Sequence, residues 1–354
     1  MTTFNYKALI FGALKGGLHS PLDYASVEMT DSHCGSSKDE GKTGTGSLTL
    51  SQAIRANNLT KVKQALRKGA DPNAFGNDDT TTPLIEAAIR GFSEVMEALL
   101  LHGASTFPTD VLNNTALHWA TANCHMNCVV LLLKYGCYKK GLNSSFRTPL
   151  MQAAFYGHDK IAQYLIDRGA EIGWPMAGHN ESALTIACER GNATIARILL
   201  RAGESSRNRD RELHIALTKA ASGGHPKVVK LLLDQGAEVN RYEDSVDAPI
   251  FAAICGGNLD IVKLLIAYHA NIEERNKVGY TPLMLAAQKG AGDMVTELLD
   301  VGANIDAIAS NGSETALSIA RTYDRSDVEE MLLSALAERD ALRIGHGYVE
   351  ATPF

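Results

Sequence analysis

Two segments of this 354-residue chain bring together side chains of the types that do chemistry. The first, Gly35-Ser-Ser-Lys-Asp-Glu-Gly41-Lys42-Thr43, approximates a phosphate-binding loop, in which backbone amides and a lysine cradle a phosphate. That loop requires a glycine, four residues and then Gly-Lys-Thr; here five residues intervene and Ser36 stands where the glycine belongs. No apolar strand leads in and no buried helix follows, so nothing would organise the amides around an anion. A polar tail is the expected state. The second segment holds Cys124, His125, Cys128 and Cys137, all side chains that ligate zinc. Cys137 follows Cys124 by a helix of about ten residues, about 15 Å, too far for one tetrahedral ion. Cys124, His125 and Cys128 supply three ligands with no fourth, so ordinary packing is expected and no metal or other cofactor is assigned. No Ser/His/Asp or Cys/His set stands apart from the pattern described next, and the chain is not expected to be an enzyme.

The elements that hold these residues recur every 33 or 34 positions. Aligned on one slot, the copies begin at Leu48, Thr82, Thr115, Thr148, Ser182, Ile215, Ala248, Thr281 and Thr315. Six of the nine slots carry Thr or Ser, whose oxygen can cap helix amides that lack partners. Pro83, Pro149, Pro249 and Pro282 follow, where a missing N–H costs nothing and the fixed φ is already helical. Nine positions after the start lie Asn57, Gly91, Cys124, Gly157, Gly191, Gly224, Gly257, Gly290 and Asp324, a turn slot for residues tolerant of positive φ that only Cys124 breaks. Twenty-one positions after the start, Gly69, Gly103, Gly136, Gly169, Gly203, Gly236 and Gly302 end a second helix, with His269 replacing glycine in the seventh copy. Runs such as Val228, Val229, Leu231, Leu232 and Leu233 put an apolar stripe on a helix too short to be stable alone. Neighbouring copies must cover it, and small residues such as Ala87, Ala88, Ala153, Ala154, Ala286 and Ala287 let adjacent pairs approach closely.

A period in this range, with a Thr-Pro-Leu start, an apolar run and a closing Gly-Ala, resembles the ankyrin repeat. The expected fold is an all-α solenoid of about nine helix-turn-helix repeats with hairpin-like loops over residues 47–336. Residues 1–46 are expected to be a mostly disordered tail and residues 337–354 a C-terminal tail. His118, in Thr115 to His118, takes the histidine slot of such repeats and reads as a structural hydrogen-bonding residue.

In repeats of this type the variable positions lie one to six residues before the start slot and seven or eight after it, on an extended concave surface. There the sequence offers Val111, Leu112, Leu142, Arg147, Phe155, Tyr156, Trp174, Met176 and His179, a mixture of aromatics, Arg and Met typical of protein-binding hot spots. Acidic tips at Asp78 and Asp79, a basic tip at Arg207, Arg209 and Arg211, and acidic Asp244 and Asp247 flank them and would orient a partner of mixed charge.

The segments Glu181 to Gly191, Pro249 to Ala253 with Gly256 and Gly257, Ala270 to Glu274, Gly279 to Met284, and Glu314 to Ser318 resemble the ankyrin arrays of the Mask family, large scaffolds with many such repeats and one KH domain. The similarity covers about residues 148–320. No KH domain is legible, so RNA binding is not carried over, and the resemblance implies a scaffold or adaptor that binds other proteins. Two alternatives stand beside this reading. Asn73 and Asn240 occupy a hairpin slot resembling targets of asparaginyl hydroxylase, with Leu232, Glu238 and Val239 matching the spacing around Asn240. The terminus Thr352-Pro353-Phe354 resembles ligands that PDZ domains capture through a free carboxylate.

A formal charge of −6 offers no overall footprint for nucleic acid, and no apolar run approaches the length of about 18 residues needed to span a bilayer. No small-molecule substrate is implied. Ala8 to Leu14 is seven residues long and lacks the flanks of a secretory signal. Six cysteines without disulfide-framework spacing point to a reducing, cytoplasmic environment, with nuclear entry left open.

Overall fold

The computed structural model describes residues 44–75, 81–173, 181–203, 209–240, 248–310 and 312–347. The phosphate-loop-like segment 35–43, Asp78, Asp79, Trp174, Met176, His179, Arg207, Asp244, Asp247 and the terminal tripeptide lie outside these residues. Two compact units divide the chain, Met1–Pro149 and Leu150–Phe354.

In the first unit six helices form three pairs: α1 (Gly44–Arg55) with α2 (Leu59–Arg67), α3 (Pro83–Arg90) with α4 (Ser93–Leu101), and α5 (Ala116–Ala122) with α6 (Met126–Lys134). First helices pack on first helices, α1 on α3 and α3 on α5, and second helices on second helices, α2 on α4 and α4 on α6. The second unit repeats the scheme with α7 (Pro149–Tyr156), α8 (Asp159–Asp167), α9 (Ala183–Glu189), α10 (Ala193–Ala202), α11 (Arg209–Ser222), α12 (Pro226–Asp234), α13 (Pro249–Cys255), α14 (Leu259–Ala267), α15 (Pro282–Lys289), α16 (Gly292–Asp300), α17 (Ala316–Thr322) and α18 (Ser326–Gly347). Within it α9, α11, α13, α15 and α17 form one layer and α8, α10, α12, α14, α16 and α18 the other. No strand forms among the described residues; one isolated bridge pairs Thr109 with Thr115.

The starts form as the slot chemistry dictates. Thr82, Ser182, Thr281 and Thr315 each accept through Oγ from the amide three residues on, at 3.4, 3.2, 3.4 and 3.2 Å. All nine turn residues have positive φ, Cys124 included at 61°. The next amide then bonds back to the carbonyl five residues earlier, as from His125 to Ala120 at 2.8 Å and from Asn192 to Ala187 at 2.8 Å, closing each first helix with a Schellman-type turn. Second helices close in the same way, Cys137 N–H reaching Leu132 and Ala237 N–H reaching Leu232.

Close approach also selects glycine at the turn. His125 Nε2 bonds to Ile89 O at 3.1 Å, Asn192 Nδ2 to Ala154 O at 2.7 Å, and His225 Nε2 to Glu189 O at 2.9 Å, so the third, fifth and sixth repeats each hold the one before. A Cβ at Gly191 would lie 2.6 Å from His225 Nδ1, inside contact distance.

Two slots carry the packing between layers. Five positions after the start every repeat has alanine: Ala53, Ala87, Ala120, Ala153, Ala187, Ala220, Ala253, Ala286 and Ala320, all buried. Seventeen positions after it, Leu99, Leu132, Leu165, Leu199, Leu232, Leu265, Leu298 and Leu332 are at most 1% exposed. Burying such a leucine contributes about 2 kcal/mol, and the alanines keep first helices close enough for neighbours to bury it.

The sixth repeat departs from the expectation. Ile215 and Ala216 replace the capping Thr-Pro pair, and helix α11 starts six residues earlier, at Arg209. Residues 209–214 contain no glycine or proline to stop the helix, and Asp210 and Glu212 suit its positive N-terminal end. Gly203 just before it has φ −99°, so the left-handed closure seen elsewhere is absent there.

Candidate functional site

The candidate residues divide between the two units. In the first, Val111 and Leu112 lie in the hairpin 110–114, and Leu142 and Arg147 in the hairpin 142–147. Each hairpin is shaped by an Asx residue: Asp110 Oδ1 accepts from the amides of Leu112 and Asn114 at 2.9 and 2.8 Å, and Asn143 Oδ1 from those of Ser145 and Arg147 at 3.0 Å each. The two hairpins are tied together. Ser144 N–H donates to Leu112 O at 2.8 Å, and the Asn143 amide donates to Asn114 Oδ1 at 2.9 Å. Val111 is 59% exposed; Leu112, Leu142 and Arg147 are half-buried.

His118 anchors this pair from below. Thr115 N–H donates to His118 Nδ1 at 3.2 Å, so the ring proton sits on Nε2, which lies 3.1 Å from both Gly141 O and Arg147 O. Burial holds its pKa below the ordinary imidazole value, outweighing the two carbonyls and the charge of Asp110. His118 is therefore a neutral brace that fixes where Arg147 leaves the hairpin.

In the second unit Phe155 and Tyr156 close the exposed end of α7. Their rings meet edge to face at 5.0 Å, Tyr156 stacks on His158 at 6.1 Å, and the Arg190 guanidinium lies 3.8 Å from the Phe155 ring centre. Both aromatics are half-buried, and the cation over Phe155 contributes about 0.5–1 kcal/mol. The sequence-based list of candidates omitted Arg190; its place eight residues after Ser182 would have included it.

Arg209 and Arg211 need correcting. Both lie in the first turn of α11 rather than on a loop tip, for the reason given above. Arg209 is half-buried, with Nη1 on Leu200 O at 3.3 Å and Nη2 on Gln235 Oε1 at 3.4 Å, so it joins neighbouring helix ends. A cavity of about 270 Å³ opens beside it, lined by Ile172, Leu184, Leu199, Arg209, Glu212 and Leu213. Its polar groups are already engaged, because Ser182 Oγ donates to the buried Glu212 carboxylate while also capping α9.

Asn73 and Asn240 serve their hairpins. Asn73 Oδ1 accepts from Ser105 N–H at 2.7 Å and its amide donates to Gly103 O at 3.2 Å; Asn240 Oδ1 accepts from Asn271 N–H at 2.7 Å. Cys124 is exposed, whereas Cys128 and Cys137 are buried and their thiols pushed up to about 11 and about 12 by desolvation. Among the described residues no group of three or more His, Cys, Asp or Glu side chains is placed to hold a metal ion, and no helix is long and apolar enough to cross a membrane.

One feature of the hairpins has no counterpart in the sequence reading. Phe146 has φ 57° and is 52% exposed, at a turn position where the second repeat places Asn113 and the seventh Gly279. A bulky residue in the left-handed region is an outlier, and an aromatic at a glycine or asparagine slot is the signal that marks it.

Comparison with known proteins agrees with this architecture. The family model described as Ankyrin repeats (3 copies) matches residues 50–142, 108–174, 150–243 and 249–341. The Ankyrin repeat and KH domain-containing protein mask-1 of Caenorhabditis elegans is 31% identical over 169 residues, 47% of this chain and 6% of that protein. A Transient receptor potential cation channel subfamily A member 1 homolog of the same organism is 29% identical over 160 residues, 45% of this chain and 13% of its own length. The Probable E3 ubiquitin-protein ligase XBOS32 of Oryza sativa subsp. japonica is 32% identical over 130 residues, 36% and 26% of the two chains. The chain thus spans only a small part of each of these relatives.

Proposed function

Because the chain belongs to the ankyrin-repeat family, whose repeats are protein-interaction modules, we propose that it is a non-catalytic scaffold or adaptor. It binds partner proteins through its hairpins and the exposed ends of its first helices. The observation that carries the reading is the Phe155, Tyr156 and Arg190 cluster: two aromatics and an arginine, mutually oriented and half-exposed, on a slot where the repeat itself demands no particular side chain. Tyr and Arg dominate binding hot spots because they combine large contact area with directional polar groups. Rigid repeats add a further advantage, since prearranged side chains lose little entropy when a partner docks.

The test is quantitative affinity capture from cells with the native chain and the Phe155→Ala, Tyr156→Ala double variant, after unfolding curves establish that both are folded. Loss of a defined set of proteins from the variant supports the reading. An unchanged set removes this cluster from the binding surface.

A further inference from the structure

Exposed apolar side chains gather on three successive hairpins of the first unit. Phe75, Phe107, Val111 and Tyr138 are 49%, 70%, 59% and 55% exposed. The hairpins that carry them are joined in series: Asn73 Oδ1 accepts from Ser105 N–H at 2.7 Å, and Asn113 Nδ2 donates to Leu142 O at 3.4 Å. Helices of neighbouring repeats pack about 8–10 Å apart, so three hairpins span about 20 Å. Four large apolar side chains grouped on that span exceed the singly scattered ones that protein surfaces normally carry.

The same stretch is acidic. From Gly69 to Leu133 the sequence holds seven Asp or Glu residues and one cation, Arg90, a net charge equal to the −6 of the whole chain. Arg90 pairs with Glu86 at 2.6 Å and so offsets no other carboxylate. Asp71 and Asp110 accept from backbone amides, neutral donors that leave the carboxylate charge in place. Charges act over about 10 Å at moderate ionic strength, so these hairpins draw a cationic ligand. Lys139 and Lys140 follow Tyr138 and reverse the sign at the third hairpin, which places the attraction at the first two.

The chain itself supplies a ligand of this chemistry. Eight of the eleven residues from Phe4 to Leu14 are apolar, and residues 1–22 hold Lys7 and Lys15 with no acidic residue. Residues 15–43 separate this segment from α1, which lies in the same unit as the hairpins. A chain of about 29 residues averages about 30 Å end to end, comparable to the span of the hairpins, and gives an effective concentration on the order of millimolar.

We propose that residues 4–14 dock in cis on the hairpins of the first three repeats, their apolar side chains covering Phe75, Phe107, Val111 and Tyr138 while Lys7 and Lys15 lie in the field of the carboxylates. Apolar character, charge and tether all select this occupant. For a partner that uses these hairpins, the segment is a competitor built into the chain. That consequence rests on the reading of the chain as a protein-binding module; the contact itself does not.

The experiment compares hydrogen exchange of the full native chain with that of a full-length Leu9→Glu, Phe11→Glu variant, and titrates a fluorescent peptide of residues 1–22 into both by anisotropy. Residues 71–75 and 105–111 should exchange about tenfold faster in the variant, and the peptide should bind the variant about tenfold more tightly than the native chain, whose hairpins are already covered. Binding to the variant should weaken as salt rises. It should be lost when Phe75→Ser and Phe107→Ser are added, changes at exposed positions that leave the unfolding midpoint in place. Unchanged exchange, equal binding to both chains, or indifference to the Phe75 and Phe107 changes overturns the inference. An exchange difference that vanishes on dilution overturns the cis contact and assigns the segment to a second copy of the chain. A peptide that binds phosphatidylserine vesicles but neither chain overturns it as well. Capture with the Phe155→Ala, Tyr156→Ala variant reads a surface of the second unit, so a negative result there and a negative result here are distinguishable.

Discussion

Cys124 holds a φ of 61° at a turn where six of the other eight repeats have glycine and two have Asn or Asp. An L side chain in that region costs about 1–2 kcal/mol, partly offset in a Cys124→Gly variant by the greater freedom glycine has when unfolded. That variant should gain up to about 1 kcal/mol in denaturant unfolding, and a loss would mean the thiol supports the fold. Two buried histidines give a second residue-level expectation. Burial lowers the pKa of His118 and of His214, whose Nδ1 lies 3.1 Å from Glu238 O. The unfolded chain, with ordinary values near 6.5, then binds more protons than the folded one just below that pH. Stability should therefore be full above about pH 6.5 and fall as the pH drops toward the lowered folded values. Urea titrations across that window should show it, with a shallower slope in His118→Gln, and a flat profile would contradict the neutral-brace assignment.

At the scale of elements, the turns and caps were legible because each depends on one residue at one offset. Gly91, Gly157 and Gly191 announce positive φ, and Thr82 or Thr281 before proline announces a helix start. The start of α11 was not legible, since the period was imposed on a repeat whose slot holds Ile215 and Ala216 and so has no cap to set it. This difference gives a sharp expectation. Proline is native one position after the start in four repeats, so a start at Ile215 would tolerate Ala216→Pro. With Ala216 inside α11 (Arg209–Ser222), the substitution should cost about 3 kcal/mol or more, measured by chemical unfolding. A neutral result would restore the regular repeat. Phe146 was not legible for another reason: its distinction is the left-handed backbone it adopts, and no glycine or asparagine stands there to announce it.

For the whole molecule, stability is a sum of repeat-to-repeat contacts rather than the property of one centre. Leu232, fully buried on α12, the helix that packs against α10 and α14, exemplifies it, and Leu232→Ala should lower stability by about 2–5 kcal/mol. Amide exchange should quicken chiefly in repeats five to seven; an effect below about 0.5 kcal/mol would contradict the assigned packing. Of the proposed interaction surface, the resemblance to ankyrin repeats implied which slots are variable but not how they are grouped. The pairing of hairpins 110–114 and 142–147 depends on backbone contacts such as Ser144 to Leu112, and the placement of Arg190 over Phe155 depends on side-chain direction. Neither is written in the spacing.

The central claim is that partners dock on the hairpins and first-helix ends, and hydrogen exchange of the native chain with and without a captured partner tests it most directly. The account requires new protection at residues 110–114 and 142–147, or along α7 at Phe155 and Tyr156, with the second helices unchanged. Protection confined to the second-helix layer, α4, α6, α8 and α10, would contradict it.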